Sequence, residues 1–252
     1  MKEQSQAVYG RKPLLDALTA GKRFEKIWMQ KGIEGEDLQR IKSAASQLGL
    51  SIQFVPKEKI DFLARPHSKG KEANHQGVFG IAALIDYCSV DDILNSAQQA
   101  GEHLLLVALD GVTDVRNFGA IARSAECLGA HGILVAEDFS APVNAEAIKI
   151  SAGALSRIPV ARERNLSSAI KYLKANGIVV MAADMEGAVA LPEFDFKQPV
   201  VVVMGAEGAG VSPTVRKWCD GAIAIPMKGK TESLNVSVSA GIILYEIARQ
   251  RQ

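Results

Sequence analysis

The chain has 252 residues, 48% hydrophobic and 23% charged, a length that suits two domains and a composition typical of a soluble globular protein. No run of eighteen apolar residues occurs, so no transmembrane helix is expected, and MKEQSQAVYGRKPL lacks the apolar segment of a signal peptide. The formal charge of +1 hides an asymmetry: residues 1–80 carry fourteen Lys/Arg against nine Asp/Glu, a balance of +5, and residues 81–252 carry fifteen against nineteen, a balance of −4. A basic front on an acidic body suits contact with a polyanion, although a plain solvated basic face has the same composition. The three cysteines, Cys88, Cys127 and Cys219, are odd in number and far apart, which argues against a disulfide framework or a zinc site and for a reducing, cytoplasmic setting.

In chain order, Pro13 to Ala20 predicts a short helix with proline near its first turn, ended by Gly21. FEKIWMQ, from Phe24 to Gln30, alternates as a strand. Glu36 to Leu48 is an amphipathic helix stopped by Gly49, LSIQFV is a second strand, and Lys57 to Ala64 is a short helix. RPHSKGKEANHQG then breaks the pattern before the strand VFGIAAL, predicting a small α/β domain with a mobile basic loop over residues 1–85. IDYCSVDDILNSAQQAGEH is polar, and residues 86–102 are expected to link two domains through one helix.

From residue 103 the character changes. LLLVALD, GILVA, RIPVA, GIVVMAA, VVVVMG and GAIAIP are short apolar runs separated by helical segments, the pattern of a parallel sheet buried on both faces. Ligands of such sheets bind at the carboxyl ends of the strands, so the loops after these runs hold the candidate residues. In the first, Asn117-Phe-Gly119 follows Asp110 and opens a helix with Asn117 as its cap, and Arg123 lies four residues beyond Gly119. Arg123 there is equally compatible with a structural ion pair. In the second, VMGAEGAGVSP, Gly205, Gly208 and Gly210 permit close backbone approach around Glu207, and Ser212-Pro213 starts another helix. Glu207 is equally compatible with merely holding that turn through its amides.

The third loop is IAIPMKGKTESLNVSVSAG. Its GKT suggests a phosphate-binding loop, but the glycine required five positions before Gly229 is Ala224, which excludes it. What remains is a basic loop and a helix start bearing Ser233 and Asn235, where amide N–H groups and the helix dipole point outward. The G-x-G-x-x-G fingerprint of a dinucleotide-binding dehydrogenase is missing, and no Ser-His-Asp arrangement or metal cluster can be assembled. His67 and His75 lie in the basic loop and suit RNA contact or plain surface; His103 and His131 flank strands.

NFGAIAR, GAEGAGVSP and IPMKGKTESLNVSVSAG resemble, in order and spacing, the three motifs of the SpoU/TrmH branch of the SPOUT RNA methyltransferases. VYGRKPLLDAL, EKIWMQ and HQGVFG resemble the L30e-like substrate-binding domain of members that methylate a guanosine ribose in large-subunit ribosomal RNA. The resemblance implies S-adenosylmethionine-dependent methyl transfer to a ribose 2′-hydroxyl, a homodimer, and a deep trefoil knot in a methyltransferase domain over residues 103–252. It implies main-chain cofactor contacts at Gly205, Ile225 and Leu234 with Met227 beside them, and no metal. Arg123 falls at the family's catalytic arginine, with Asn117, Glu207, Ser233 and Asn235 at its other motif positions. Because guanidinium stays protonated in proteins, Arg123 is expected to fix a phosphate and stabilise a developing alkoxide, with Ser233 and Asn235 orienting the hydroxyl. The alternatives are a transfer-RNA substrate and a knotted RNA-binding protein without catalysis.

Overall fold

The structure is a computed structural model describing residues 7–67, 74–137, 140–231 and 233–252; the lysines of the basic loop, Lys69 and Lys71, lie outside the described residues. The chain divides into two compact units at Asp86/Tyr87.

The first unit runs β1 (Ala7–Tyr9), α1 (Arg11–Thr19), β2 (Phe24–Gln30), α2 (Glu36–Gln47), β3 (Ile52–Val55), α3 (Lys57–Ala64) and β4 (Val78–Ala82). Its sheet has the order β1-β4-β2-β3, with β2 and β3 parallel and β4 antiparallel to both of its neighbours. A register shift between Phe24 and Lys26 lets Phe24, Ile27 and Met29 all reach one core, which explains why the buried positions of β2 depart from strict alternation. Leu14, Leu18, Leu38 and Ile41 of the first two helices fill that core, and Ile60 and Ala64 pack with Phe79 in a second one. His75, expected at the surface, is buried at 4% exposure. Its Nδ1 accepts the Gly77 N–H at 3.0 Å and its Nε2 lies 2.7 Å from Asp61 Oδ1, so the ring pins the segment before β4 to α3. Fixed spacing to two partners gives it a structural role.

The second unit runs β5 (Tyr87–Cys88), α4 (Val90–Ala100), β6 (Leu105–Asp110), α5 (Val115–Cys127), β7 (Gly132–Ala136), α6 (Ala145–Ile150), β8 (Val160–Glu163), α7 (Leu166–Ala175), β9 (Val179–Ala183), β10 (Ala188–Ala190), β11 (Val200–Gly205), α8 (Pro213–Arg216), β12 (Gly221–Ala224) and α9 (Val236–Gln250). Its strands form one parallel sheet of order β10-β12-β9-β11-β6-β7-β8-β5. All six residues of the central β11 are buried, as the unbroken apolar run VVVVMG requires for a strand covered on both faces.

The stretch expected as a linker belongs instead to this unit. β5 pairs with β8, and α4 buries Val90, Ile93 and Ala97 in the sheet's core. Its polar residues face outward, and Ser89 and Asp92 close a reciprocal capping box at its start, so the segment is an amphipathic helix rather than a tether. The alternate face of the sheet carries α5 and α9, which pack on each other. Arg251 fastens the end of α9 beneath the sheet: its guanidinium donates to the carbonyls of Phe196, His103, Leu104 and Gln198 at 2.6–3.1 Å. Among the described residues no helix is long and apolar enough to cross a membrane.

Candidate active site

The site forms at the carboxyl edge of the second unit's sheet. Gly205 at the end of β11 is in register with Asp110 at the end of β6, and Asp110 Oδ2 accepts the Ser212 N–H at 2.7 Å. Between them the chain doubles back, Ala206 and Gly210 exchanging main-chain hydrogen bonds at 3.0 and 2.9 Å. A Cβ added to Gly205 would lie 2.0 Å from the Gly210 carbonyl carbon, and Gly208 sits at φ +82°. Glycine is required at both positions, once for close approach and once for a left-handed turn. The hairpin so formed holds Glu207.

The expected helix start at Asn117 is corrected. α5 begins at Val115 and its cap is Asp114, whose Oδ1 accepts the N–H groups of Arg116 and Asn117 at 2.7 and 3.0 Å. These bonds, that of Asn117 foremost, hold the Asp114 carboxyl below the usual carboxylate range. Asp caps as well as Asn, so with Asp114 in that role the Asn117 amide is free for the cleft.

There it meets the other two loops. Asn117 Nδ2 donates to Glu207 Oε2 at 3.2 Å, and Asn235 Nδ2 donates to Asn117 Oδ1 at 3.0 Å and to Glu207 Oε1 at 3.4 Å. Asn235 is also the cap of α9: its Oδ1 accepts the Ser237 N–H and hydroxyl at 2.9 and 2.6 Å. One amide thus starts the last helix with its oxygen and ties three loops together with its nitrogen. Glu207 accepts from these two side chains rather than from the amides of its own turn.

A cavity of about 330 Å³ adjoins this triangle, within the range of small-molecule sites, about 300–1,000 Å³. Gly205, Ile225, Met227 and Leu234 line it, as do Glu207, Ser233 and Asn235. Asn117 reaches it through its two hydrogen bonds. Arg123 does not line it; it lies further along α5, exposed, with no hydrogen-bond or ion-pair partner among the described residues. The cavity also takes in Asp184 and Met185, which follow β9 and which sequence reasoning passed over. Asp184 carries the same signal as Asp110, a polar residue at the end of an apolar run, but no motif marks it or Met185. Among the described residues Asp184 and Glu207 are the carboxylates that line the cavity and no Lys or Arg lines it, although Arg216 Nε lies 3.8 Å from Asp184 Oδ2.

Cys88 and Cys219 have thiols pushed up to about 11, chiefly by burial, which removes both as nucleophiles at neutral pH. Among the described residues no group of His, Cys, Asp and Glu is arranged to hold a metal ion.

Residues 104–245 match the SpoU rRNA Methylase family, and residues 7–88 match a module described as RNA 2′-O ribose methyltransferase substrate binding. A protein of Mycobacterium sp. (strain KMS) named "Uncharacterized tRNA/rRNA methyltransferase" is 41% identical over 99% of this chain and 78% of its own length. Among solved structures, the SpoU methyltransferase AviRb from Streptomyces viridochromogenes, in complex with AdoMet, is 27% identical with a TM-score of 0.60, covering 97% of this chain and 90% of that one. The AdoMet-bound rRNA methyltransferase from Sinorhizobium meliloti is 28% identical with a TM-score of 0.59, covering 96% and 86%. The A. aeolicus TrmH/SpoU tRNA modifying enzyme is 32% identical with a TM-score of 0.55, but covers 64% of this chain and 83% of its own. The chain belongs to the SpoU rRNA Methylase family, with that family's substrate-binding module ahead of its methylase unit, and is an RNA 2′-O-ribose methyltransferase.

Proposed function

We propose that this protein transfers a methyl group from S-adenosylmethionine to the 2′-hydroxyl of a guanosine ribose in large-subunit ribosomal RNA. The observation that carries the reading is the hydrogen-bonded triangle of Asn117, Glu207 and Asn235 beside a cavity that, among the described residues, is lined by two carboxylates and by no Lys or Arg. Glu207, with no ion-pair partner among the described residues, and Asp184, 3.8 Å from Arg216 Nε, suit a ligand bearing a sulfonium and an ammonium. The cavity's apolar walls, Met204, Ile223, Ile225 and Leu234, suit a flat heterocycle, and the glycine hairpin leaves main-chain groups within reach. Gly205, Ile225 and Leu234 would hold the cofactor through their main chains, with Met227 beside them. When bound, the cofactor supplies an activated methyl on a good leaving group.

The work left to the protein is to present a ribose hydroxyl and stabilise its developing negative charge. Arg123 is assigned to a target phosphate and to that charge, since a permanently protonated guanidinium stabilises an oxyanion but does not accept a proton at neutral pH. Ser233 and the Asn235 amide are assigned to orienting the hydroxyl. The network holding Asn235 at both ends limits its motion, which is what positioning demands.

Ribosomal RNA is favoured by the module at residues 7–88, an added domain that suits recognition of a structured RNA. Transfer RNA is the second reading, supported by the likeness to the A. aeolicus tRNA modifying enzyme, 32% identical with 64% of this chain covered. We further propose that the protein is a homodimer. Leu234, Val238, Ile242 and Tyr245 are 39%, 50%, 38% and 62% exposed at spacings of four, four and three. Val238, Ile242 and Tyr245 make an apolar stripe along α9, with Leu234 just ahead of its cap, that suits a partner helix. The trefoil knot is proposed on the resemblance of the three motifs.

Methyl transfer from labelled cofactor into unmodified large-subunit rRNA and into tRNA, with the modified ribose mapped, tests the substrate. One 2′-O-methyl in rRNA is expected. Label in tRNA alone would overturn the substrate and keep the chemistry, whereas cofactor binding without transfer to either would remove the catalytic assignment.

A further inference from the structure

Two lysines converge on one tryptophan of the methylase unit. Lys171 of α7 places its Nζ 3.9 Å from the centre of the Trp218 ring, and Lys217 at the end of α8 places its own at 5.7 Å. One ammonium on an indole face is a common packing device. A second one is not explained by packing, because like charges gathered on one ring repel and Lys217 is exposed just past a helix only four residues long. The nearby carboxylate that would neutralise them, Asp220, is occupied by Lys174 at 2.7 Å. Neither Lys171 nor Lys217 has an ion-pair partner among the described residues. This concentration of positive charge stands out on the acidic part of the chain, where residues 81–252 balance to −4.

Its position links it to the cleft. Arg216, adjacent to Lys217, donates Nη2 to the Glu186 carbonyl at 3.4 Å, and its Nε lies 3.8 Å from Asp184 Oδ2. Asp184 lines the cofactor cavity. Trp218 is two residues beyond Arg216, no more than about 7 Å of chain. Lys217 and Trp218 thus follow directly on a side chain that reaches the cavity wall, while Asp220, two residues further on, donates its N–H to the Val180 carbonyl at the start of β9 at 2.7 Å. Ser167 Oγ donates to the Thr214 carbonyl at 3.0 Å, fixing α7 to α8 so that both lysines are presented by rigid elements.

We propose that Lys171, Trp218 and Lys217 form an RNA-contacting subsite on the methylase unit, separate from the substrate-binding module: a backbone phosphate lies between the two ammoniums and a flanking nucleotide rests against the indole. Paired cations with an aromatic plate are the elements that hold single-stranded RNA without reading its sequence. The subsite gives the strand a second anchor on the methylase unit, and the proposal rests on the RNA 2′-O-methyltransferase activity.

The full-length protein carrying Lys171→Ala and Lys217→Ala is titrated with unmodified large-subunit rRNA and with bulk tRNA over a range of salt. The slope of log affinity against log salt is expected to become shallower by about 1–2. The deficit relative to the parent should shrink roughly tenfold between about 50 and about 200 mM salt. The RNA KM rises while kcat and cofactor affinity hold, and Lys171→Arg with Lys217→Arg restores binding. Lys217→Ala alone, at an exposed position, gives part of the change if the double variant folds poorly. In a Trp28→Phe background, Trp218 is the only remaining tryptophan and its fluorescence is expected to respond to RNA. An unchanged slope, an unresponsive Trp218, or an effect confined to thermal stability and cofactor binding overturns the subsite. A parent protein that transfers no methyl to any RNA would instead count against the activity itself.

Discussion

Asn235 serves two ends of one amide, and Asn235→Ala and Asn235→Asp separate them. Alanine removes the α9 cap, worth about 1 kcal/mol, and the bonds to Asn117 and Glu207, worth about 0.5–1.5 kcal/mol each at best. The combined loss is about 2 kcal/mol, or about 4–8 °C in the melting of a unit of this size. Aspartate keeps the cap, since its carboxylate still accepts the Ser237 N–H, but it faces Glu207 with a second negative charge across the present 3.4 Å contact. With both side chains solvent-exposed the repulsion is taken at the water limit, about 1 kcal/mol. The two variants are therefore expected to melt at similar temperatures at pH 7. They part in acid. A carboxylate pair at that spacing raises one pKa in the folded state, so the folded protein takes up the proton first and the penalty falls as pH drops through that raised value. Asn235→Asp should regain about 2–4 °C over Asn235→Ala by about pH 4.5. Thermal melts of both variants at four or five pH values supply the check. If the two curves run parallel throughout, Asn235 and Glu207 do not face one another and the triangle is wrong.

Gly205→Ala is expected to abolish cofactor binding in calorimetry, because its methyl would sit 2.0–2.3 Å from the backbone of Gly210 and Val211 and the hairpin must open; retained affinity would remove the hairpin from the cofactor site. Arg251→Ala should cost roughly 3 kcal/mol in denaturant unfolding, since four carbonyls lose a charged donor. Arg251→Lys should recover less than half, an ammonium being unable to span them; full recovery would show that charge alone mattered. Arg123→Ala should lower kcat for methyl transfer at least tenfold with cofactor affinity unchanged, and Arg123→Lys should restore little of it. An unaltered rate in Arg123→Ala would take the residue out of the mechanism.

Much of the fold was legible because apolar runs announce buried parallel strands directly. The runs at 104–110, 132–136 and 200–205 coincide with β6, β7 and β11 within one residue. β5 and β10 escaped notice because they are edge strands of two and three residues, too short to bear a period. The helix at 90–100 was visible, but its polar surface disguised its membership of a core. His75 was misplaced for the reverse reason: a histidine in a polar loop looks exposed, and its burial depends on Asp61 and Gly77.

For the site, the three loops and their motif residues were set by local sequence, because each follows a strand whose carboxyl end must lie on one edge. The pairing of Asn117 with Glu207, ninety residues away, and of Asn235 with Asn117, a further separation of 118, was decided only by the tertiary structure. So were the choice of Asp114 over Asn117 as cap and the inclusion of Asp184 in the cavity. Spacing along a chain fixes which face of an element a residue occupies. Which other face it meets depends on the order in which the strands are laid side by side, and here β11 lies between β9 and β6, an arrangement that no local period encodes.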